Sequence, residues 1–290
     1  MTPPFEEKTY TSHDGLHLYY RDYPSANTGH PVLCLPGLTR NAKDFEGVAE
    51  HLTAWGHRVI APDLRGRGRS DYDPNPENYA PAVYIQDILA LLKQEGIAKT
   101  VVIGTSLGGV IAMVMAKLCP EVLVGVVLND VGPEADPRGI SLIGASLKNP
   151  REFQSWEAAA TAVQTYGAGG YPDFTQADWL RAARATYRET PDGLIVVDYD
   201  PALVEPFMRA NMADPPPTLW KFFDALARIS TLALRGALSN LLSEATFMEM
   251  KRRKPDLDTA VIPNRGHIPL LNEPASLKAL QPFLERDCSR

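Results

Sequence analysis

A serine stands where an apolar strand pattern gives way to an apolar helix pattern. The β-type run 100–103 is followed by Gly-Thr-Ser-Leu-Gly-Gly at 104–109, and a further apolar stretch comes next. Strand and helix can pass closely at such a turn only if the residues two positions before and after the serine are very small. Gly104 and Gly108 meet that requirement. The segment therefore predicts a strand, a sharp turn with Ser106 at its apex and a helix, which is a nucleophile elbow.

Strand-like runs alternate with helical stretches through most of the chain. A β-hairpin is predicted over 8–23, turning at Asp14-Gly15, and further strands are predicted at 31–35, 57–61, 100–103, 122–128, 230–234 and 259–262. Helical spacing covers 41–55, 79–95, 106–118, 243–254 and 274–286. The alternation predicts an α/β fold with a mostly parallel central sheet of about eight strands, flanked by helices and entered through the antiparallel hairpin.

The regular alternation fails between 133 and 229. That stretch is rich in helix formers and aromatic residues, and it is broken by Pro-Asp-Gly at 191–193 and by three prolines at 215–217. We interpret it as a mostly helical cap inserted into a core made of 1–132 and 230–290. The aromatic side chains of this cap either pack against one another or line a pocket for an apolar substrate group.

Charge and hydropathy exclude several function classes. The 290 residues carry a formal net charge of −6, and the longest run of like charge is Lys-Arg-Arg-Lys at 251–254. This gives no basic footprint for nucleic acid. Residues 1–20 are polar without a signal-peptide core, and no apolar run approaches the roughly 20 residues of a membrane span. We expect no membrane span and a cytoplasmic location.

The three cysteines do not form a recognisable metal or disulfide pattern. Cys34, Cys119 and Cys288 are an odd set without metal-type spacing, and the first two stand in apolar runs. They are interpreted as buried thiols in a reducing compartment. No dinucleotide fingerprint, phosphate loop or cluster of metal ligands occurs, so we expect no cofactor and no metal.

One of the six histidines is placed to activate the serine. His267 follows the last predicted strand, in the loop 263–269, whereas the other five histidines lie near the first strands. Ligand crevices of open α/β sheets lie outside the carboxyl ends of the strands, where Ser106 is also expected. We therefore predict that His267 removes the serine proton. The N–H of Leu107, and that of Leu38 in the turn after Pro36-Gly37, are candidate donors to an oxyanion.

The order of these motifs resembles the α/β-hydrolase fold superfamily over nearly the whole chain. The motifs are Pro36-Gly37, Asp-Leu-Arg-Gly-Arg-Gly-Arg-Ser at 63–70, the segment 104–109 and Gly266-His267. The resemblance implies that Leu38 and Leu107 form an oxyanion hole and that the stretch from about 133 to 229 is a lid. It also implies that the segment 63–70 shapes the floor near the site, and we treat that segment as structural.

The acid that should support His267 is not where the resemblance places it. Such enzymes usually carry an aspartate shortly after the strand that follows the cap, but position 240 is asparagine. Asp130, which follows the predicted strand 122–128, is the best substitute, with a helix cap or loop anchor as the alternative role. Glu244 could reach back, although it more naturally begins a helix. The substitution at position 240 could also be engineered, and sequence alone leaves these options open.

These features predict a serine hydrolase of a carboxylic ester or lactone that works through an acyl-enzyme. Serine at the elbow excludes the haloalkane dehalogenases and epoxide hydrolases of this fold, which carry aspartate there. Amide, thioester and carbon–carbon bond hydrolysis stay open, as does a cofactor-free perhydrolase. Asn240 alone favours a second class, a ligand-binding member without turnover. The expected partner is a small ester or lactone with an apolar group, and the oligomeric state is left open.

Overall fold

The protein was analysed as a computed structural model that describes residues 4–26, 29–147, 152–211 and 217–287. Its strands are β1 (Glu6–Thr11), β2 (His17–Tyr23), β3 (Val32–Leu35), β4 (Val59–Pro62), β5 (Thr100–Thr105), β6 (Leu123–Asn129), β7 (Tyr187–Glu189), β8 (Ile195–Val197), β9 (Ser230–Gly236) and β10 (Asp258–Ile262). Cys288 and the prolines at 215 and 216 lie outside the described residues.

Eight of these strands form one sheet in the order β1-β2-β4-β3-β5-β6-β9-β10. β1 pairs antiparallel with β2, and β2 pairs antiparallel with β4. Every other pairing in this sheet is parallel. The predicted α/β class, with a mostly parallel sheet entered through an antiparallel hairpin, is confirmed. The carboxyl ends of β5, β6, β9 and β10 consequently lie side by side along one edge.

The α-helices of the described residues are α1 (Glu46–Ala54), α2 (Pro81–Gln94), α3 (Leu107–Leu118), α4 (Pro137–Leu147), α5 (Trp156–Gly167), α6 (Gln176–Thr186), α7 (Val204–Asn211), α8 (Trp220–Phe223), α9 (Glu244–Arg253) and α10 (Pro274–Asp287). Short 3₁₀ turns lie at Ala42–Phe45, Pro76–Asn78, Pro120–Val122, Ala168–Gly170, Pro201–Leu203 and Asp224–Arg228. The helix predicted over 41–55 thus begins as a 3₁₀ turn, where the Asn41 side chain accepts a hydrogen bond from Lys43 N–H.

Helices cover both faces of the sheet because successive strand side chains point to opposite sides. In β5, Val102 packs into the apolar cluster shared with α2 and α3. Its neighbours Val101 and Ile103 pack into the cluster shared with α1 and α10. All three side chains are fully buried. The strand that leads to Ser106 is therefore held by packing on both faces of the sheet.

Residues 133–229, which we name the cap region, contain α4 to α8 and a two-stranded sheet. β7 and β8 pair antiparallel across Pro-Asp-Gly at 191–193, where Gly193 has φ +86°. The hairpin is a departure from the mostly helical cap that the sequence predicts, in which this tripeptide is only a break. Ala159, Ala160, Trp179, Ala183 and Ile195 form an apolar cluster separate from the two sheet clusters.

Two thiols of the described residues are buried and unpaired. Cys34 and Cys119 are free cysteines, exposed by 0% and 5%. Burial raises the pKa of the Cys119 thiol to about 11, with a smaller contribution from Glu121. Burial also raises the pKa of Cys34 well above its ordinary value. Both thiols are protonated at neutral pH and are therefore poor nucleophiles.

Among the described helices, none is both long enough and apolar enough to cross a membrane.

One buried arginine binds three carboxylates beside the first hairpin. Arg65 is fully buried, and its guanidinium binds Asp87 (Nε to Oδ2, 2.7 Å), Asp14 (Nη1 to Oδ2, 2.8 Å) and Asp73. Removing one partner of a buried ion pair leaves uncompensated buried charge, which typically costs about 3–5 kcal/mol. We expect Arg65→Gln to lower the free energy of unfolding by about that amount, measured by urea denaturation at pH 7.

Arg69 provides the matched control for this prediction. It lies four residues further along the same segment, its side chain is 60% exposed, and its ion pair with Glu7 is on the surface. Arg69→Gln should change the free energy of unfolding by less than about 1 kcal/mol, the usual limit for a surface pair. Equal losses in the two variants would show that the Arg65 cluster has no special role in stability.

Candidate active site

Ser106 lies at a strained turn between β5 and α3. Its φ and ψ are +51° and −112°, outside the regions that residues with a side chain usually adopt. The conformation is held by the backbone, since Gly109 N–H and Val110 N–H both donate to Ser106 O at 2.9 and 3.1 Å. Ser106 N–H donates to Asn129 O on β6 at 3.2 Å. The hydroxyl is therefore presented at the carboxyl edge of the sheet.

Close backbone approach explains the glycines around the serine. A Cβ on Gly104 would lie 2.5 Å from Gly108 C, and one on Gly108 would lie 2.1 Å from Leu35 O. A Cβ on Gly109 would lie 2.3 Å from Val131 Cγ1. Real Cβ contacts are essentially never this short. A Cβ on Gly104 or Gly108 would therefore push backbone segments apart, and one on Gly109 would displace the Val131 side chain. The glycines are required by packing, as the sequence analysis predicted for Gly104 and Gly108.

Gly108→Ala should therefore destabilise the protein strongly. The clash is with the backbone oxygen of Leu35 on β3, which cannot rotate away, and overpacking of this kind costs about 3 kcal/mol or more. Thermal unfolding followed by circular dichroism measures the loss. Gly169→Ala is the control, because a Cβ there meets nothing within 4 Å. A Gly108→Ala protein as stable as the control would contradict the described elbow.

The structure brings Ser106, His267 and Asp130 into one hydrogen-bonded chain. Ser106 Oγ lies 3.0 Å from His267 Nε2, and His267 Nδ1 lies 2.7 Å from Asp130 Oδ2. An ionised carboxylate can only accept, so Nδ1 carries the proton and donates to Asp130. Nε2 is then free to accept the serine proton. His267 is 15% exposed and Asp130 is fully buried.

Asp130 owes its orientation to the ends of β6 and β9. It has φ +51°, and its N–H donates to Leu234 O at 2.8 Å. Gly236 N–H donates to Oδ1 at 2.8 Å, and Ser239 Oγ donates to Oδ2 at 2.7 Å. Two donors besides the histidine therefore hold the carboxylate, and the sequence did not indicate either of them.

The other candidates for the acid lie elsewhere. Asn240 is exposed, and among the described residues its side chain makes no hydrogen bond to His267. Its backbone oxygen packs against Gly139 at the start of α4. Glu244 is the exposed first residue of α9. Of the positions that the sequence left open, only Asp130 contacts the histidine within the described part of the chain.

The two candidate oxyanion donors lie next to the serine. Leu107 is the first residue of α3, so its N–H has no partner within the helix. Leu38 follows Gly37, and a Cβ on Gly37 would lie 3.7 Å from Ser106 Cβ. Among the described residues, no protein acceptor is bonded to either N–H. Within the described residues both N–H groups are therefore left without a protein acceptor, as donors to an oxyanion must be.

A buried arginine of the segment 63–70 supports the Leu38 loop. Arg67 is fully buried, and its Nε donates to Leu38 O at 2.8 Å. Its Nη1 donates to Arg65 O and Tyr84 Oη at 2.7 and 2.9 Å. The guanidinium also lies 5.0 Å from the centroid of the Tyr84 ring. The segment 63–70 was expected to be structural, and the bond from Arg67 to Leu38 O connects it to the loop beside the serine.

One group of potential metal ligands occurs in the described residues, away from the serine. His13, Asp14 and Asp87 offer ligand atoms within 4.8 Å of one another. Arg65 already donates to both oxygens of Asp87 and to both oxygens of Asp14, so the atoms that would bind a metal are taken up by hydrogen bonds. We assign no metal to this group.

Comparison with known proteins identifies the family of this chain. The model of the family described as "Alpha/beta hydrolase family" matches residues 32–279, which include the elbow and the His267 loop. The chain belongs to the alpha/beta hydrolase family. A solved alpha/beta hydrolase from Novosphingobium aromaticivorans is 43% identical, covers 99% of both chains and superposes with a TM-score of 0.91.

Two curated relatives of this alpha/beta hydrolase are named by their substrates. The 3-hydroxybutyrate-oligomer hydrolase of Cupriavidus necator is 33% identical over 276 residues, 93% of each chain. The 2-(acetamidomethylene)succinate hydrolase of Mesorhizobium japonicum is 28% identical over 262 residues, 89% of each chain. Both relatives are hydrolases, in agreement with the predicted reaction class.

Proposed function

We propose that this protein is a serine hydrolase that cleaves carboxylic esters through an acyl-enzyme intermediate. The observation that carries the proposal is the chain of hydrogen bonds from Ser106 Oγ through His267 to Asp130 at a strained elbow. A serine hydroxyl is a weak nucleophile unless a base removes its proton, and a third group must orient that base. We assign the nucleophile to Ser106, the base to His267 and the orienting group to Asp130.

In the first half-reaction, Ser106 Oγ attacks the ester carbonyl carbon while its proton passes to His267 Nε2. Asp130 stabilises the resulting imidazolium through the Nδ1–H bond. The tetrahedral intermediate collapses when the carbonyl re-forms and the bond to the alkoxy oxygen breaks. The proton on Nε2 passes to that oxygen, so an alcohol leaves and the acyl group stays on Ser106.

In the second half-reaction, water takes the place of the alcohol. His267 Nε2 removes a proton from the water as its oxygen attacks the acyl carbon, and the second tetrahedral intermediate expels Ser106 Oγ. The proton then returns from Nε2 to the serine, and the carboxylic acid is released. The N–H groups of Leu38 and Leu107 receive the oxyanion in both intermediates, where a charge in a desolvated site needs fixed donors.

We further propose that the substrate is a small oligoester or lactone of a hydroxy acid. The name of the relative from Cupriavidus necator, which matches nearly the whole chain, supports this class. A lactone is the internal ester of a hydroxy acid and reacts by the same steps. The cap region is proposed to act as a lid that limits substrate size and excludes water from the acyl-enzyme.

The test is a panel of substrates followed by acid release in a pH-stat. It contains the linear 3-hydroxybutyrate dimer and trimer, a four-carbon lactone, p-nitrophenyl butyrate and the matching butyramide, with the Ser106→Ala protein as blank. We expect the esters to be cleaved above the blank and the amide to be spared. Rates at the level of the blank for every ester and the lactone would contradict the proposal.

The ligand-binding alternative has no observation in its favour. It depended on Asn240, for which the structure shows no hydrogen bond to the histidine among the described residues, whereas the fully buried Asp130 carboxylate makes one. Binding of the 3-hydroxybutyrate trimer without any release of acid is the result that would bring this alternative back.

A further inference from the structure

Two consecutive residues of the cap region hold the loop that carries His267. Gly266 N–H donates to Gly170 O at 2.7 Å. Ile268 N–H donates to Tyr171 Oη at 2.7 Å, and that hydroxyl donates in turn to Ile268 O at 2.8 Å. The residues immediately before and after the histidine are therefore both bonded to the cap region.

Within the described residues, the hydrogen bonds that the core makes to the backbone of the same loop lie further from the histidine. Leu238 N–H donates to Arg265 O at 2.8 Å, and Asn129 Nδ2 donates to Pro269 O at 2.9 Å. Both bonds lie two residues from His267. The core thus fixes the outer positions of the loop backbone and, through Asp130, binds the imidazole itself. The cap region fixes the peptide groups on either side of the histidine.

Tyr171 is itself held rigidly. Its ring packs against Phe174 and Trp179, with ring centroids 4.6 and 6.0 Å away. Burial raises the pKa of its hydroxyl above the ordinary value, so the group is a protonated donor at neutral pH. Two residues further along, Asp173 binds Arg265 of the histidine loop at 2.6 Å. The aromatic cluster of the cap region is therefore connected to the loop at several points.

We propose that Tyr171 is a positioning residue for proton transfer, which holds His267 at hydrogen-bond distance from Ser106 through both backbone groups of Ile268. The proposal rests on the proposed function, because positioning a base matters only if the base takes the serine proton. Displacing a reacting group by about 1 Å can cost about 10²-fold in rate. The cap region accordingly contributes to catalysis as well as to covering the site.

Tyr171→Phe tests the proposal because it keeps the ring packing and removes both hydrogen bonds to Ile268. We expect kcat for p-nitrophenyl butyrate to fall by about 10- to 100-fold while KM changes little. Tyr166→Phe is the matched control, since it removes a hydroxyl from another tyrosine of the cap region that is 61% exposed. An unchanged kcat in Tyr171→Phe, a change in KM alone, or an equal loss in the control would overturn the proposal.

Inactivation by diisopropyl fluorophosphate gives a readout that does not depend on ester binding. Ser106 Oγ bonds to phosphorus, fluoride leaves and the hydroxyl proton passes to His267. We expect the inactivation rate constant of Tyr171→Phe to fall in parallel with kcat. An inactivation rate equal to that of the unmodified protein would show that the histidine is still correctly placed, against the proposal.

Two further measurements keep the proposal testable if Tyr171→Phe fails to fold or if the protein is inert. Gly170→Ala places a Cβ 3.2 Å from Gly266 Cα and should displace the same loop, with the same kinetic result. If the unmodified protein neither turns over ester nor reacts with the fluorophosphate, the proposed function fails.

The Nδ1–H resonance of His267 in ¹⁵N-histidine-labelled protein then tests whether the cap region positions the histidine. It should shift or broaden in Gly170→Ala but not in Tyr166→Phe, and an unchanged resonance would overturn the claim.

Discussion

Asp130→Asn is expected to lower kcat for ester hydrolysis by about 10⁴-fold, or about 5.5 kcal/mol, as the same change does in serine proteases. The carboxylate accepts from His267 Nδ1 at 2.7 Å, and an amide there cannot balance the charge of the imidazolium. Its NH₂ can also face Nδ1 and favour the tautomer with the proton on Nε2. Steady-state kinetics with p-nitrophenyl butyrate measures the loss, and KM should change far less than kcat.

Asn240→Asp is the matched control. It introduces an aspartate at the position where the resemblance to the superfamily places the acid. Because residue 240 is exposed and Asp130 is the carboxylate bonded to the histidine, kcat of the variant should stay close to that of the unmodified protein. A large gain in Asn240→Asp, together with a small loss in Asp130→Asn, would show that Asp130 is a loop anchor and that the chain lacks its acid.

Ser106→Ala is expected to have the largest effect, a fall in kcat of about 10⁶-fold, as found when the nucleophile of a serine protease is removed. Without Oγ no acyl-enzyme can form, and only the oxyanion donors and substrate binding are left to promote attack by water. The measurement is acid release over hours at high enzyme concentration.

The control for Ser106→Ala is its own stability. Among the described residues the serine side chain makes one hydrogen bond, to His267, so the unfolding temperature should stay close to that of the unmodified protein. A folded variant that retains a substantial part of the activity would exclude Ser106 as the nucleophile.

The strands of the sheet and the core helices could be predicted from the sequence because the patterns that indicate them are local. The strand predicted at 100–103 became β5, which extends two residues further to Thr105, and the helix predicted at 106–118 became α3. Apolar periodicity and breakers determine such elements within a few residues. The same holds for Gly104 and Gly108, because an elbow requires small residues at fixed distances along the chain.

Local sequence patterns do not indicate whether the residue that supports His267 is at position 130 or at position 240. Both residues follow strands that are neighbours in the sheet, and spacing does not indicate which side chain turns towards the histidine. That depends on the positive φ of Asp130 and on its bonds to Gly236 and Ser239, more than 100 residues away in the chain. The role of Tyr171 was hidden for the same reason, since it depends on a contact between residues 97 positions apart.

The β7–β8 hairpin had a local signal that was undervalued. Pro-Asp-Gly at 191–193 is a turn signal, and the run Ile-Val-Val that follows it at 195–197 is typical of a strand. The helix formers around it favour the interpretation of the cap region as mostly helical. The hairpin contributes Ile195 to the apolar cluster that contains Trp179, on which Tyr171 packs.

The acyl-enzyme itself is the most direct test of the account. The protein is mixed with p-nitrophenyl butyrate, quenched in acid within the first turnovers, and analysed by intact mass spectrometry and peptide mapping. We predict a burst of p-nitrophenol and a butyryl group attached to Ser106, with neither in the Ser106→Ala protein. Steady turnover of the ester with no covalent adduct, or an adduct on any other residue, would contradict the central claim.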